Sequence, residues 1–418
     1  MRFAPRILGS LLALSLFASC QPNAVPRKPG NSRKLDAYLR RAEVLRAKLS
    51  LNDEAAQVLL VSINGTGRPG APAVELLEHN AVGGVLLFGF NVPQKARDLG
   101  FFTAQVQEAA QKNGTGLPEI IAIDDEGGTV FRFHGSDVTR LPSPARASRR
   151  GPGFIRFLGE ASGSELHALG VNVALAPVVE TLNAANGHFL GTRAYSSDPK
   201  TVDADAGAFI EGLQSQGVAA VAKHFPGNTD ADPHRGLAVL SVSKNAEEEL
   251  FLPRFASAID LNAKNPDRSV ALVMLSHVIV PSVDPSHPAS LSPIFIQGQL
   301  RHSLGFKGVA VTDDLCMKAL TDLMPPEKSA VAALRAGDDL LMISDQGSIL
   351  KIRDAIVAAV QSGVLKRSRL DEAADSVIAL KLRFDMESAL DARVRERRLA
   401  RFESLVARHR QEIRRWEP

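Results

Sequence analysis

Four short apolar runs in this chain end on side chains able to do chemistry. Ile123 is followed by Asp124, Ala222 by Lys223 and His224, Leu275 by Ser276 and His277, and Thr312 by Asp313. Carboxylates, an imidazole and an ammonium at such places suit nucleophilic and acid–base work. Asp313 precedes a helix-compatible stretch, so its carboxylate reads equally well as a nucleophile or as a helix N-cap. A further pair lies in the segment Gly227-Asn228-Thr229-Asp230-Ala231-Asp232-Pro233-His234. There the Asp232 carboxylate can orient the His234 imidazole and stabilise its charged form for proton transfer. The same residues also suit a solvated turn rich in Asp, Asn and Pro.

These side chains need a frame that gathers them. Apolar runs at 57–63, 84–88, 119–123, 171–176, 218–222, 270–275, 309–312 and 340–343 alternate with helix-compatible stretches such as 94–111, 154–169, 204–216 and 348–360. Continuous apolar strands fit a parallel sheet buried on both faces. Several are preceded by a glycine, namely Gly170, Gly217, Gly308 and Gly337. Eight such units predict an α/β fold, a (β/α)8 TIM-type barrel forming a single catalytic domain with C-terminal helices. An open doubly wound sheet is the alternative, and the regularity of eight units favours closure. Active sites of such barrels lie at the C-terminal ends of the strands. Four runs ending on polar groups therefore predict one ring at one mouth.

The barrel is expected over 49–385 and a basic helical segment over 386–418. Within that segment Leu399, Phe402, Leu405 and Val406 form an apolar stripe. It is expected to pack on the barrel with its arginines in solvent; contact with an anionic surface is the alternative. The formal net charge is only +3, so no global field draws the chain to nucleic acid, and a monomer is expected.

The first twenty residues read as an export signal. Arg2 and Arg6 precede an apolar run at 7–17, then Ala18, Ser19 and Cys20. The run is too short for an ordinary spanning helix. Phe17-Ala18-Ser19-Cys20 resembles a lipobox, with Phe17 where leucine is typical. Cys20 is thus the expected lipidation site, and two acyl chains there would give stable membrane attachment; a plain secretory signal is the alternative. The chain is expected to be exported to the cell envelope, with a Pro- and Gly-rich tether at 21–34 and a leading helix at 35–48. Cys316 is the other cysteine, so a lipidated chain has no intramolecular disulfide.

Longer motifs carry a resemblance. Ala81-Val82-Gly83-Gly84-Val85-Leu86-Leu87-Phe88, Ile123-Asp124-Asp125-Glu126-Gly127-Gly128, Gly191-Thr192-Arg193, Lys223-His224-Phe225-Pro226-Gly227 and Val311-Thr312-Asp313-Asp314-Leu315 occur in that order. Together they resemble glycoside hydrolase family 3, in particular its single-domain bacterial β-N-acetylglucosaminidases, over most of 49–345. The resemblance implies a retaining exo-β-N-acetylglucosaminidase acting on cell-wall fragments, with a carbohydrate as its partner. It implies Asp313 as the nucleophile, His234 with Asp232 as the acid/base, and Asp124, Arg132, Arg193, Lys223 and His224 as sugar-binding residues. Asp314 is expected to serve the loop, and Glu180 and His277 to be structural. For the binding residues the competing reading is ion pairing around Asp124 and Asp313.

The chain departs from the family pattern in two places. The His-Gly that usually follows Lys-His-Phe-Pro-Gly is missing, which shortens the loop by about two residues. Pro233 replaces a small hydroxyl residue and restricts Asp232 to extended conformations. No metal-ligand motif and no phosphate-binding glycine loop occurs, and the implied chemistry needs no metal and no cofactor. Another exo-β-glycosidase, a phosphorylase of the same branch, and a non-catalytic glycan-binding lipoprotein are the alternatives.

Overall fold

The computed structural model describes residues 32–135, 137–243, 245, 251–260 and 269–416. The export signal at 1–20, Cys20 and nearly all of the tether lie outside the described residues. The predicted strands form as β1 Leu59–Ser62, β2 Gly84–Leu87, β3 Ile120–Ile123, β4 Val173–Ala174, β5 Ala219–Phe225, β6 Leu272–Leu275, β7 Val309–Thr312 and β8 Leu341–Ile343. Each pairs in parallel with its neighbour in sequence, and β8 pairs with β1. A parallel bridge between Val311 and Leu340 joins the remaining ends, so the sheet closes as a barrel.

Two apolar clusters show which way the strands face. Leu60, Leu86, Ile120, Ala122, Val173, Ala219, Val221, Leu272, Met274, Val309, Val311 and Met342 fill the barrel. Their sequence neighbours, among them Leu59, Val61, Val85, Leu87, Ile121, Ile123, Val273, Ala310 and Ile343, pack outward with the helices. This is the period-two alternation of a strand, and a one-residue slip would invert it. Phe88, one step past Leu86, packs against the inner cluster at the end of β2.

The glycines before the strands do two different jobs. Gly170, Gly217 and Gly337 have φ of 79°, 80° and 124°, the left-handed region that ends a helix cleanly. Gly308 does not; a Cβ there would lie 2.3 Å from the Ala271 carbonyl oxygen, so β7 needs glycine for close approach.

The leading helix spans Ser32–Arg46. Its Ala42 packs with Ile378, Ala379 and Leu382 of the helix Arg367–Arg383, whose Val377 and Leu380 close the N-terminal end of the barrel. The C-terminal segment forms two helices rather than one, Ala392–Ala400 and Phe402–Trp416, broken at Arg401. Phe402 and Val406 join the main core, and Leu399 and Leu405 pack against it. No helix among the described residues is long and apolar enough to cross a membrane.

Candidate active site

The alternation that fills the barrel with aliphatic side chains also selects what stands at its mouth. Continuing inward from Ile120 and Ala122 gives Asp124; from Ala219 and Val221, Lys223; from Val309 and Val311, Asp313. Their neighbours Asp125 and Asp314 turn outward. Asp125 accepts a hydrogen bond from the Ser162 hydroxyl on the helix Pro152–Ala168, and burial pushes its carboxyl up to about 7. Asp314 accepts from the amides of Cys316 and Ser344, both at 3.0 Å.

Lys223, 3% exposed, is the centre of the charged floor. Its ammonium lies 3.0 Å from Asp124 Oδ1 and 2.7 Å from Glu126 Oε1. Arg132 donates to Asp124 Oδ2 at 2.6 Å, and Arg193 grips both Glu126 oxygens at 2.8 and 2.9 Å. Burial acts to raise the pKa of both carboxyls, but the Lys223 ammonium and the arginines outweigh it and hold both below their ordinary values. Burial acts to lower that of Lys223, and the facing carboxylates Asp124 and Glu126 overcome it, so Lys223 is raised. The floor thus stays fully charged at neutral pH. Its polar atoms can still accept from and donate to the hydroxyls of a sugar.

His224 reaches the same place through a bulge. Between β5 and β6 the pairing steps from Lys223 with Met274 to Phe225 with Leu275, which leaves His224 as the extra residue. Glu180 then organises the turn. It accepts from His224 N at 3.1 Å and Asn228 N at 2.6 Å, and lies 2.9 Å from His224 Nδ1. The expected structural role of Glu180 fits this arrangement.

Asp313 differs from the acids of the floor. Its Oδ1 accepts from the following amide at 2.9 Å, and among the described residues no cation stands within ion-pair distance. The helix after it begins at Lys318 with Met317 as its cap, so Asp313 is not an N-cap. His277 supports the carbonyl of Asp314 through Nε2 at 3.0 Å and meets the Ser290 hydroxyl through Nδ1 at 2.8 Å. Burial depresses its basicity, while the charges of both Asp313 and His234 act on it. A neutral imidazole donating from Nε2 satisfies both contacts.

The loop bearing Asp232 and His234 is tied down on two sides. Asp230 accepts from the amides of His188 and Phe189 at 2.7 and 3.2 Å, and the Phe189 ring lies under Arg193 at 5.5 Å. On the other side Ala319 N donates to the Pro233 carbonyl at 3.1 Å, just past Asp313. Asp232 Oδ1 accepts from His234 N at 2.9 Å and lies 2.8 Å from His234 Nδ1. This pairing assigns the Nδ1 proton to the carboxylate and leaves Nε2 on a side chain 65% exposed. Asp232 itself is held below its ordinary value: burial is the largest single effect and raises it, but the hydrogen bonds from His234 and the charges of His234 and Arg235 together outweigh it.

The mouth therefore brings together Asp124, Arg132, Arg193, Lys223 and His224, with Asp313 and the Asp232–His234 pair set around them. Arg132 and Lys223 pair with Asp124, and Arg193 pairs with Glu126 rather than with Asp124 or Asp313. Glu126 is the residue that the motif reading passed over, although it shares the inward parity of Asp124. Among the described residues no cluster of potential metal ligands occurs.

Residues 50–380 match the glycosyl hydrolase family 3 N-terminal domain. A β-hexosaminidase of Nitrosomonas eutropha is 36% identical over 295 residues, 68% of this chain and 80% of that protein. The β-hexosaminidase LpqI of Mycobacterium tuberculosis is 30% identical over 80% of this chain and 84% of its own length. Among solved structures, a family 3 β-N-acetylglucosaminidase from a Paenibacillus species superimposes with a TM-score of 0.75 at 32% identity. That match covers 81% of this chain and 63% of the other, so this chain spans less than two thirds of that protein.

Proposed function

Because the chain belongs to glycosyl hydrolase family 3, and so is a glycoside hydrolase acting on O-glycosyl bonds, we propose that it is a retaining exo-β-N-acetylglucosaminidase. It releases terminal N-acetylglucosamine from cell-wall-derived glycans. The observation that carries this reading is the division of labour at the mouth: a paired, charged floor, the Asp313 carboxylate with no cation in ion-pair reach among the described residues, and an exposed imidazole backed by its own carboxylate.

The terminal sugar lies on the floor, its distal hydroxyls against Asp124, Arg132 and Lys223, with His224 and Arg193 completing the pocket. The Asp313 carboxylate attacks the anomeric carbon as the bond to the leaving oxygen breaks. His234, protonated at Nε2, passes that proton to the leaving oxygen, and Asp232 orients the imidazole and supports its cation. Neutral His234 then takes a proton from water as the water oxygen displaces Asp313 from the anomeric carbon. The two inversions retain the β configuration, and both side chains return to their starting states.

Export belongs to the same reading. Residues 1–20 are the signal, and acylated Cys20 anchors the enzyme in the cell envelope.

A panel of nitrophenyl β-glycosides, assayed with and without phosphate, tests the reaction. The N-acetylglucosaminide should be cleaved fastest, phosphate should leave its rate unchanged, and no sugar phosphate should form. Mass spectrometry of acid-quenched enzyme should find an amino-sugar ester on the peptide bearing Asp313. Phosphate-dependent turnover would instead make the enzyme a phosphorylase, and no turnover on any glycoside would leave only glycan binding.

A further inference from the structure

Beside the mouth runs a basic groove that the mechanism does not use. One recess of about 450 Å³ is lined by Arg140, Arg146 and Arg150 together with Gly128, Thr129 and Thr192. Thr192 adjoins Arg193, and Gly128 lies two residues from Glu126, so the recess opens on the flank of the sugar pocket. A second recess of similar size shares Arg140 and Ile413 with the first and adds Arg410 and Arg414 from the C-terminal helix. Among the described residues the lining of both holds five arginines and no carboxylate.

Exposed arginines usually form no more than a solvated face, and three features set these apart. They line a concavity rather than a ridge. Two are held against aromatic rings, Arg140 over Phe131 at 5.6 Å and Arg150 over Phe154 at 5.9 Å. Stacking by one face leaves the N–H edge of a guanidinium directed at other acceptors. Finally, nearby acids are engaged elsewhere, Glu165 with His409, Glu412 with Arg415, Asp205 with Ser148 and Asp137 through one oxygen with the Ala96 amide, while Arg410 is itself held by the Val138 carbonyl. The excess is local, because the whole chain carries a formal charge of only +3.

We propose that this groove is a second binding site, which holds carboxylate or phosphate groups on the glycan whose terminal sugar enters the mouth. The proposal rests on the exo-glycosidase reading: if the pocket takes one sugar, every anionic group beyond it belongs to the leaving side. Guanidinium edges match the paired oxygens of carboxylates and phosphates. A membrane surface is the poorer occupant, because the leading helix, which would connect an anchor at Cys20 to the body, sits at the opposite end of the barrel. There Leu35 and Leu39 lie against Ala271 and Val309.

The test compares a neutral disaccharide N-acetylglucosaminide with the same disaccharide extended by carboxylate-bearing residues. The wild-type enzyme is set against the Arg146→Gln/Arg150→Gln/Arg414→Gln variant. Wild type should prefer the anionic substrate by about tenfold in kcat/KM, mainly through KM, at low salt. The variant should lose the preference and cleave the neutral substrate at the wild-type rate. Tripolyphosphate should inhibit cleavage of the anionic substrate and spare the neutral one. Equal preference in variant and wild type would overturn the proposal. So would tripolyphosphate altering both substrates alike, which would make the groove a separate phosphate site. Calorimetric titration of both proteins with an oligogalacturonate separates this from failure of the enzymatic reading. Weak binding by wild type and loss in the variant support the groove even if no glycoside is cleaved, and equal or absent binding sinks it.

Discussion

Lys223 and Lys381 are both almost wholly buried, and they stand at opposite ends of the barrel. Lys223 faces two carboxylates at 3.0 and 2.7 Å, and its basicity is raised above that of an ordinary lysine. Lys381 donates to the amide oxygen of Gln57 at 2.9 Å and feels one acid, Glu119, so burial lowers its pKa to about 8. The same side chain at similar burial is therefore driven in opposite directions by the number of anions within reach. The mouth invests in keeping its charges, because a sugar must find permanent donors and acceptors there. The closed end only tolerates its pair: burial pushes Glu119 up to about 7, and its Oε2 has no hydrogen-bond partner.

The largest effect expected at the mouth comes from Asp313, which has no cation within ion-pair distance among the described residues. Asp313→Asn should retain the fold and lose turnover by roughly 10⁴-fold or more, since an amide cannot form the glycosyl ester. Near-normal activity in a steady-state assay would remove Asp313 from the mechanism.

The two lysines can be set against each other directly. Lys223→Met leaves Asp124 and Glu126 with only Arg132 and Arg193, so unfolding by denaturant should show a loss of about 3 kcal/mol together with loss of sugar binding. Lys381→Met removes an ammonium already pushed toward neutrality and should cost less than about 2 kcal/mol, with activity unchanged. A larger stability loss at Lys381 would contradict the contrast between the two ends.

How far this contrast can be read in the sequence depends on how far apart its partners lie. The strands were legible because each is a short apolar run beside a glycine or a helix. The parity within them was not, because both faces of each strand are apolar: only once Ala122 and Val311 are seen to point into the barrel does counting in twos pick Asp124 over Asp125 and Asp313 over Asp314. The same count reaches Glu126, which the motifs did not single out. Nor could pairing across the barrel be read. Glu126 meets Arg193 67 residues away, and Glu180 meets His224 44 residues away. The extra residue of the β5 bulge is likewise invisible to a pattern of hydrophobicity. So are the two anchors of the catalytic loop, Asp230 on His188 and Pro233 on Ala319. The split at Arg401 had no proline or glycine to announce it.

The exposed side of the mouth should respond by substrate rather than uniformly. His234→Ala should slow natural disaccharides by about 10²-fold or more, because a poor leaving group needs a proton as the bond breaks. Dinitrophenyl glycosides should be nearly spared in the glycosylation step, and Asp232→Ala should give a milder form of the same pattern. Equal losses on both substrates, read in pre-steady-state bursts, would return His234 to a structural role.

The smallest effect belongs to the closed end and appears only as a dependence on pH. Glu119 has a folded-state pKa raised from its ordinary 4.5 to about 7, with burial the main cause and Lys381 opposing it. The folded protein thus holds this proton more tightly than the unfolded chain. Its contribution to stability is full below pH 4.5, declines as pH rises, and is gone above about 7. Lys381, lowered from 10.5 to about 8, contributes in the opposite sense: its share is full above 10.5 and is lost as pH falls through about 8. The two windows do not overlap, but Asp125, also pushed up to about 7 by burial, titrates alongside Glu119 between pH 5 and 7, so only the difference between wild type and a Glu119 variant reports Glu119. Glu119→Gln keeps the shape of the side chain and leaves untouched its backbone hydrogen bonds with Gln107. Thermal melts of the wild type should lose roughly 2–4 °C more than those of the variant between pH 5 and 7. Because Asp124 and Glu126 are lowered rather than raised, they titrate below this range and cannot mimic the effect. Parallel melting curves for the two proteins across that interval would show that Glu119 is already ionised at the closed end. The barrel would then keep its charges at both mouths, and the contrast between Lys223 and Lys381 would rest on the number of partners alone.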